Sequence, residues 1–117
     1  MQKILVVICF SVMSLVYGQA ALAHGEGHAA ITDGQAITVA TAAVAQLVES
    51  DVGLGFGQLD PSWNRVSKNA TRIESKKGGY YVVAVRNKGE GRTLFILMSE
   101  SGAVYDANFT GEFEALQ

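Results

Sequence analysis

Imidazole and carboxylate side chains are gathered near the start of the chain, where His24, Glu26 and His28 lie within five residues. Imidazole nitrogens suit copper, nickel and zinc, so this spacing predicts a site for Cu, Ni or Zn. The stretch is rich in glycine, and such a site would form only around the arriving metal. The alternative interpretation is a mobile polar linker, and the residue types alone leave both open.

The residues before this stretch have the pattern of a secretory signal. Lys3 is followed by an apolar run over residues 4–10, and small residues stand at Ala21 and Ala23. The run is short for a membrane span, but it fits the charged start, apolar middle and small-residue cleavage site of an export signal. We therefore predict a signal peptide over 1–23 and an exported protein, periplasmic or secreted, with no stable membrane anchor after cleavage.

The position of the cleavage site decides which metal chemistry is available. Cleavage after Ala23 leaves His24 with a free α-amine, so the amine and imidazole of one residue can chelate Cu(II) and His28 can add a nitrogen. Cleavage after Gly25 presents the tripeptide at 26–28, whose amine, two deprotonated amides and imidazole can wrap a square-planar Cu(II) or Ni(II) ion. The sequence does not choose between these two ends.

Enzymatic chemistry is hard to assemble from the mature chain. Export removes Cys9, the only cysteine, and leaves no disulfide or thiol chemistry. Both histidines precede the folded part, where a base is not held in the geometry that proton transfer needs. We expect no enzyme activity. The net charge of −2 and the absence of a basic stripe interleaved with aromatic residues exclude nucleic acid as an expected partner.

A helix is predicted at the start of the folded part. Residues 32–35, Thr-Asp-Gly-Gln, have the arrangement of a capping box. The spacing of the residues that follow predicts a helix from about 33 to 50 with one buried side. That side comprises Ile37, Ala40, Thr41, Val44, Leu47 and Val48.

The helix is followed by a glycine-rich connection and a short capped turn. Gly53, Gly55 and Gly57 interrupt the apolar pattern, and no lysine follows them to hold a phosphate. A flexible connection is therefore expected rather than a loop that cradles a ligand. Residues 60–63, Asp-Pro-Ser-Trp, predict a new helical turn capped by Asp60, with Trp63 anchored at the edge of the core.

The second half of the chain changes to an alternating pattern with glycine turns. Four strands are predicted, over 70–76, 80–87, 92–100 and 103–109. Short loops containing glycine join antiparallel neighbours, so the strands form a meander. The predicted fold is α+β, with one N-terminal helix packed on this antiparallel sheet in two layers. It forms a single domain over 32–117, preceded by a flexible tail over 24–31.

The two central strands are apolar on both faces. Tyr81, Val83 and Val85 lie on one face, while Tyr80, Val82, Phe95 and Leu97 belong to the other. An antiparallel sheet covered by one helix is expected to show a polar second face. Either the Trp63 region and the C-terminal tail cover these residues, or they bind a partner: an envelope protein, a peptide or a second copy in a homodimer.

Three segments together resemble the PepSY-like group of small exported bacterial domains: ITDGQAI at 31–37, GYYVVAV at 79–85 and LFILMSESGAVY at 94–105. The chain is most similar to a branch of short secreted proteins known only as a domain of unknown function, with AHGE at 23–26 and DPSW at 60–63. The resemblance implies a non-catalytic domain that inhibits peptidases, or that senses or regulates in the cell envelope. It carries over no functional residue, and we expect this chain to stand alone, without the attached peptidase or membrane-spanning partner of the larger members.

The metal hypothesis predicts that the exported protein, purified without chelators, retains a copper, nickel or zinc ion. Native mass spectrometry measures this, because one spectrum gives both the bound metal and the mass of the mature N-terminus, which we expect at His24 or Glu26. Replacing His24 and His28 by Ala together should abolish Cu(II) binding. An unchanged Cu(II) affinity in this double variant would exclude the site, and a metal-free wild-type species would identify the stretch as a linker.

Overall fold

One helix lies across a four-stranded antiparallel sheet in the computed structural model, which describes residues 30–117. Each strand pairs with the next along the chain, so the sheet is a meander with β1 and β4 at its edges. The predicted α+β class is confirmed, while the signal peptide and the histidines lie outside the described residues. The elements are α1 (Asp33–Glu49), β1 (Thr71–Lys77), β2 (Tyr80–Asn87), β3 (Arg92–Ser99) and β4 (Val104–Asn108).

The helix α1 begins at the capping box that the sequence predicts. The Thr32 hydroxyl accepts a hydrogen bond from the Gln35 backbone N–H at 3.1 Å, and the Gln35 side-chain oxygen accepts one from the Thr32 N–H at 2.8 Å. Two backbone donors that the helix leaves free are thereby satisfied. The other end is closed by Gln58, whose side-chain nitrogen donates to the Val48 carbonyl oxygen at 2.7 Å.

Two of the six residues predicted for the buried side of α1 are not buried, and three residues outside that set are. Thr41 is exposed and donates its hydroxyl to the Ile37 carbonyl oxygen at 3.0 Å, while Ile37 is only partly buried. The stripe is centred instead on alanines, because their small side chains let the helix backbone approach the sheet closely. The buried residues are Ala36, Val39, Ala40, Ala43, Val44, Leu47 and Val48. They pack on Tyr81, Val83, Val85, Leu94, Ile96 and Met98. Together with Leu59, Trp63, Val104 and Ala107, the two sets form the main core.

The glycine-rich connection packs against the main core instead of forming the expected flexible link. Its glycines have positive φ, which turns Val52, Leu54 and Phe56 toward the core as partly buried side chains. Leu59 is fully covered, and its N–H donates to the Leu47 carbonyl oxygen at 2.9 Å. The connection is therefore one wall of the domain.

The short capped turn places Trp63 in the main core. Asp60 caps a 3₁₀ turn (Pro61–Arg65) by accepting from the Ser62 N–H at 2.9 Å, and this bond lowers the pKa of Asp60 below its ordinary value of 3.8. Trp63 is 1% exposed and lies 5.9 Å from the Phe109 ring, centroid to centroid. Since Trp63 packs on the same face of the sheet as α1, the suggestion that its region covers the opposite face is wrong.

A polar network ties this turn to the turn between β2 and β3. The Trp63 indole N–H donates to the Glu90 carboxylate at 3.0 Å, and two nitrogens of Arg92 donate to the same oxygen. The Arg92 guanidinium also lies 3.9 Å from the Phe109 ring centroid. The indole N–H of the buried Trp63 is therefore hydrogen-bonded to the Glu90 carboxylate, whose negative charge is neutralised by Arg92.

The folded domain begins at Ile31, one residue before the predicted boundary. The Ile31 N–H donates to the Glu100 carbonyl oxygen at 2.9 Å, and the Tyr81 hydroxyl donates to the Ile31 carbonyl oxygen at 2.6 Å. Lys76 of β1 donates to the Asp33 carboxylate at 3.1 Å, and this bond raises the pKa of Lys76. The first turn of α1 and the residue Ile31 that precedes it are thus fixed to the sheet.

The Glu90 network leads to a stability prediction. Glu90→Ala leaves the Trp63 indole N–H buried without a partner, so we expect the free energy of unfolding to fall by about 1–3 kcal/mol. Glu90→Gln keeps an acceptor oxygen and should cost less. Chemical denaturation followed by Trp63 fluorescence measures both. The matched control is Glu49→Ala at an exposed site, which should stay within about 0.5 kcal/mol of the wild type; equal losses at Glu49 and Glu90 would contradict the assigned role.

Candidate functional site

The four residues predicted to bind a partner lie together on the outer face of the sheet, opposite α1. Val82 of β2 is directly paired with Leu97 of β3, and Phe95 is paired with Ala84. Tyr80 is two residues before Val82 on the same strand and therefore shares its face. The sequence pattern thus identifies one contiguous apolar patch.

The C-terminal segment (residues 109–117) covers this patch. Phe113 is 3% exposed, and it packs with Val82 and Leu97, each also 3% exposed. Tyr80, Phe95 and Leu116 surround them as partly buried side chains. We call these six residues the outer cluster. Of the two sequence alternatives, cover by the tail is what the structure has, so a partner reaches Val82 or Leu97 only if the segment moves.

Asn108, the last residue of β4, starts the segment on its path across the sheet. Its side-chain oxygen accepts from the Gly111 N–H at 2.8 Å and from the Thr110 N–H at 3.2 Å, and its side-chain nitrogen donates to the Glu112 carbonyl oxygen at 2.9 Å. Gly111 has φ of +79°, and a Cβ there would lie 3.3 Å from the Phe95 ring. The turn is therefore specified by one amide side chain and by a glycine that passes close over an aromatic ring.

Beyond this turn the segment is held by side-chain packing. The backbone bonds of its last residues run within the segment, from Leu116 N–H to the Phe113 carbonyl oxygen and from Gln117 N–H to the Glu114 carbonyl oxygen. No ladder of backbone bonds joins residues 112–117 to a strand in the part of the chain described. Segments of this kind open at a small fraction of the global unfolding free energy, because few contacts must be broken.

A tyrosine pair forms the exposed rim of the outer cluster. Tyr80 and Tyr105 pack edge to face with ring centroids 5.9 Å apart. Tyr105 is 42% exposed and is the one exposed large hydrophobic side chain among residues 30–117. It stands at a bulge, since Leu97 pairs with Asp106 and Met98 with Val104. Tyrosine combines a large apolar area with a polar hydroxyl, which suits a surface that alternates between water and a partner.

The edges of the sheet are less suited than its face to receive another chain. The β1 edge carries Arg72, Glu74, Lys76 and Lys77, and its register shifts at Glu74. β4 is short and has its own bulge at Tyr105. Charges, short length and bulges all hinder the addition of a further strand. Contact with a partner is therefore better accommodated by the outer cluster than by strand pairing.

The metal site predicted from His24, Glu26 and His28 lies outside the described residues. Within residues 30–117, no group of three histidine, cysteine, aspartate or glutamate side chains is arranged to hold a metal ion. No helix in this part of the chain has the length and apolar character to cross a membrane.

The chain has a match among known families. The profile of a family described as a family of unknown function covers residues 1–112, and so includes the N-terminal stretch, the helix and the whole sheet. The chain belongs to that family, DUF6488. No curated protein and no solved structure matches this DUF6488 chain. Membership confirms the expectation of a domain of unknown function, while the PepSY-like relationship stays a prediction.

Sequence reasoning about this DUF6488 domain missed three residues: Phe113 and Leu116 of the outer cluster and Tyr105 of its rim. Phe113 belongs to no alternating pattern. An aromatic residue between two glutamates near a terminus nevertheless indicates a side chain that packs against an apolar surface. Tyr105 has the pattern of an ordinary strand residue, and only the bulge in β4 shows that it is exposed.

The packing of Phe113 leads to a prediction about the segment. We expect Phe113→Ala to detach residues 110–117 while the main core, including Phe109, stays folded, at a cost of no more than about 3 kcal/mol, the low end for Phe→Ala in a core. Amide exchange should accelerate at Gly111 and Leu116 but not in β2, and a dye that binds exposed apolar surface should fluoresce more strongly. Glu114→Ala, exposed in the same segment, is the control and should change neither signal. Unchanged exchange at Gly111 and Leu116 in the Phe113 variant would refute the assigned role.

Proposed function

We propose that this protein is an exported, non-enzymatic binding domain of the bacterial cell envelope, PepSY-like in type, that takes a peptide or protein segment on the outer face of its sheet. The observation that carries the proposal is the outer cluster, an apolar surface closed only by the chain's own terminal segment. A partner that displaces the segment gains the same burial that the segment loses. The secretory pattern over residues 1–23 supports the exported location.

The bound segment indicates what the partner looks like. Phe113 and Leu116 enter the outer cluster three residues apart, from the N-cap and the last residue of one 3₁₀ turn (Glu114–Leu116). Glu112 and Glu114 flank Phe113 and stay exposed. Lys77, paired with Tyr80 across β1 and β2, places a positive charge on this face. The proposed partner therefore presents an aromatic residue and an aliphatic residue three positions later, with acidic neighbours.

A partner must compete with the attached segment, so the amount of partner bound depends on how much better it fits the outer cluster than the segment does. A segment joined by a short link acts at an effective concentration of about millimolar, so a free peptide with the same contacts binds weakly while the segment is docked. A better apolar fit, or a larger contact that includes the Tyr80 and Tyr105 rim, is needed for displacement. The segment of a second copy is one such competitor, and exchange between two copies would give the homodimer considered from the sequence.

The N-terminal metal hypothesis is a second and separate candidate. It rests on the spacing of His24, Glu26 and His28, and it makes no use of the sheet. A protein with both features would bind metal through its tail and a partner through its outer cluster. The double histidine variant therefore leaves the prediction for the outer cluster unchanged.

A peptide with the sequence of residues 109–117 tests the surface directly. We expect the dye-labelled peptide to bind the mature Phe113→Ala, Leu116→Ala double variant, whose outer cluster is uncovered, and to bind the wild type far more weakly. The matched control peptide carries Ala in place of the phenylalanine equivalent to Phe113 and should not bind. Fluorescence anisotropy gives the affinities, and chemical shifts locate the site. Absence of binding, equal binding of both peptides, or shifts confined to α1 would refute the proposal.

A crosslinking experiment then tests for a natural partner. A photoreactive amino acid at position 105, on the rim, should form a defined crosslinked species in the exported fraction. The same group at position 49, exposed on α1, should not. Addition of the peptide in excess should suppress the species at 105. Equal crosslinking from both positions would show general contact rather than a docking surface.

A further inference from the structure

A second surface feature lies at the end of the sheet where β1 begins and β2 ends. A groove of about 680 Å³ opens where two 3₁₀ turns (Pro61–Arg65 and Lys68–Ala70) meet β1, β2 and the turn that follows β2. Arg65, Arg72, Arg86 and Lys88 line it, and we call these four residues the basic groove. It shares no residue with the outer cluster. Its volume lies within the range of small-molecule sites.

The groove is positively charged, although residues 30–117 as a whole carry more acidic than basic side chains. Without Lys3 and Glu26, residues 30–117 carry eight basic and ten acidic side chains. Four of the basic residues line this groove, whereas none of its lining residues is acidic. A surface with interspersed charges of both signs would be the ordinary outcome. Half of the cations of an acidic domain are thus collected in one concavity.

The sheet register brings two of the arginines together. Arg72 is opposite Ala84, and Arg86 is two residues further along β2, opposite Thr93. Both therefore lie on the outer face of adjacent strands as diagonal neighbours, at about 7–8 Å between backbones. Arg65 ends the first 3₁₀ turn, and Lys88 lies in the turn after β2. Like charges at this spacing repel, and a bound anion removes the repulsion.

Most of these cations have no carboxylate within ion-pair distance. Arg72 pairs with Glu74 at 2.9 Å, but both side chains are largely exposed, so the pair exchanges readily with another anion. Arg86 donates to the neutral Thr93 hydroxyl at 3.2 Å. Among residues 30–117, Arg65, Arg86 and Lys88 form no salt bridge within 4.0 Å, and Asp60 acts on Arg65 only from a distance. Their donors are available to a ligand.

The frame of the groove is fixed by hydrogen bonds. Asn87 is 5% exposed, donates to the Ser62 hydroxyl at 3.0 Å and accepts from the Glu90 N–H at 3.3 Å. On the opposite wall the buried Thr71 hydroxyl donates to the Ser67 carbonyl oxygen at 3.2 Å. The backbones that carry the four cations are therefore held in place before any ligand arrives, which lowers the entropic cost of binding.

We propose that the basic groove binds a phosphate group. A phosphate offers several acceptor oxygens and more than one negative charge, which matches three guanidinium forks and an ammonium group better than a single carboxylate does. None of the residues that line the groove is aromatic, so a nucleobase has no ring to stack on. The phosphate belongs to a small phosphorylated molecule in solution or to the headgroup of an anionic phospholipid.

Titration of the exported mature protein with inorganic pyrophosphate at constant ionic strength tests this assignment. We expect saturable binding, with the largest amide shifts at Arg65, Arg86, Asn87 and Lys88. Arg86→Gln should weaken the affinity about tenfold, the change that corresponds to the loss of one charge-assisted hydrogen bond. Arg86→Lys should weaken it less, because the charge remains while the fork is lost. Arg65→Gln provides an independent variant on a different element.

The matched control is Lys76→Gln, which removes one exposed charge from β1 outside both the groove and the outer cluster and should change the affinity less than twofold. Vesicles distinguish the sources of phosphate. Binding to phosphatidylglycerol but not phosphatidylcholine vesicles, abolished by Arg86→Gln and displaced by pyrophosphate, identifies a lipid headgroup. Pyrophosphate binding without vesicle binding identifies a soluble ligand.

Three outcomes would overturn the proposal. They are the absence of saturable pyrophosphate binding, equal losses in the Arg86→Gln and Lys76→Gln variants, and amide shifts outside the groove. Binding of an acidic peptide in place of pyrophosphate would likewise assign the groove to a protein partner. Circular dichroism confirms that each exposed-site variant is folded, and the peptide experiment on the outer cluster is independent of every one of these results.

Discussion

Strands β2 and β3 are apolar on both sides, and the rest of the domain is arranged around the need to exclude water from both. Each face must be covered, since burial of apolar surface supplies most of the free energy that offsets the ordering of the chain. The helix α1 covers one face with a stripe of alanine, valine and leucine. Phe113 and Leu116 cover the other with a much smaller surface. The two faces of the sheet are therefore covered unequally, and the proposed function rests on this difference.

Local chemistry made much of the fold predictable. The capping box at Thr32, the proline turn after Asp60 and the glycine turns between strands are set by neighbouring residues, and the structure confirms them. The phase of the α1 stripe was missed at Ile37 and Thr41, because the pattern was set by the large apolar Ile37, whereas the packed face places the small Ala36 and Ala43 against the sheet. The side of the sheet that Trp63 covers was missed too, since a local pattern carries no information about which face receives a distant turn.

The candidate surfaces depend still more on long-range contacts. The pattern in β2 and β3 identified Tyr80, Val82, Phe95 and Leu97 as one patch, but only the path of the last residues shows what lies on it. The basic groove combines Arg65, Arg72, Arg86 and Lys88 from separate elements, and no local motif connects them. In the sequence these four positive charges are widely spaced and look like ordinary surface residues, and only the fold brings them together.

Phe109 is the point at which the chain passes from one layer to the other. Its ring packs on Phe56 and Trp63 in the main core and lies under the Arg92 guanidinium, whereas the residues after it belong to the outer face. Because Phe109 is held by these contacts, detachment of the terminal segment does not extend past it. Release of the terminus would end at Phe109 and leave the helix layer intact, so substitutions in the last residues can tune binding at the outer face while the architecture stays constant. Recognition and stability are thereby separable traits within one small domain.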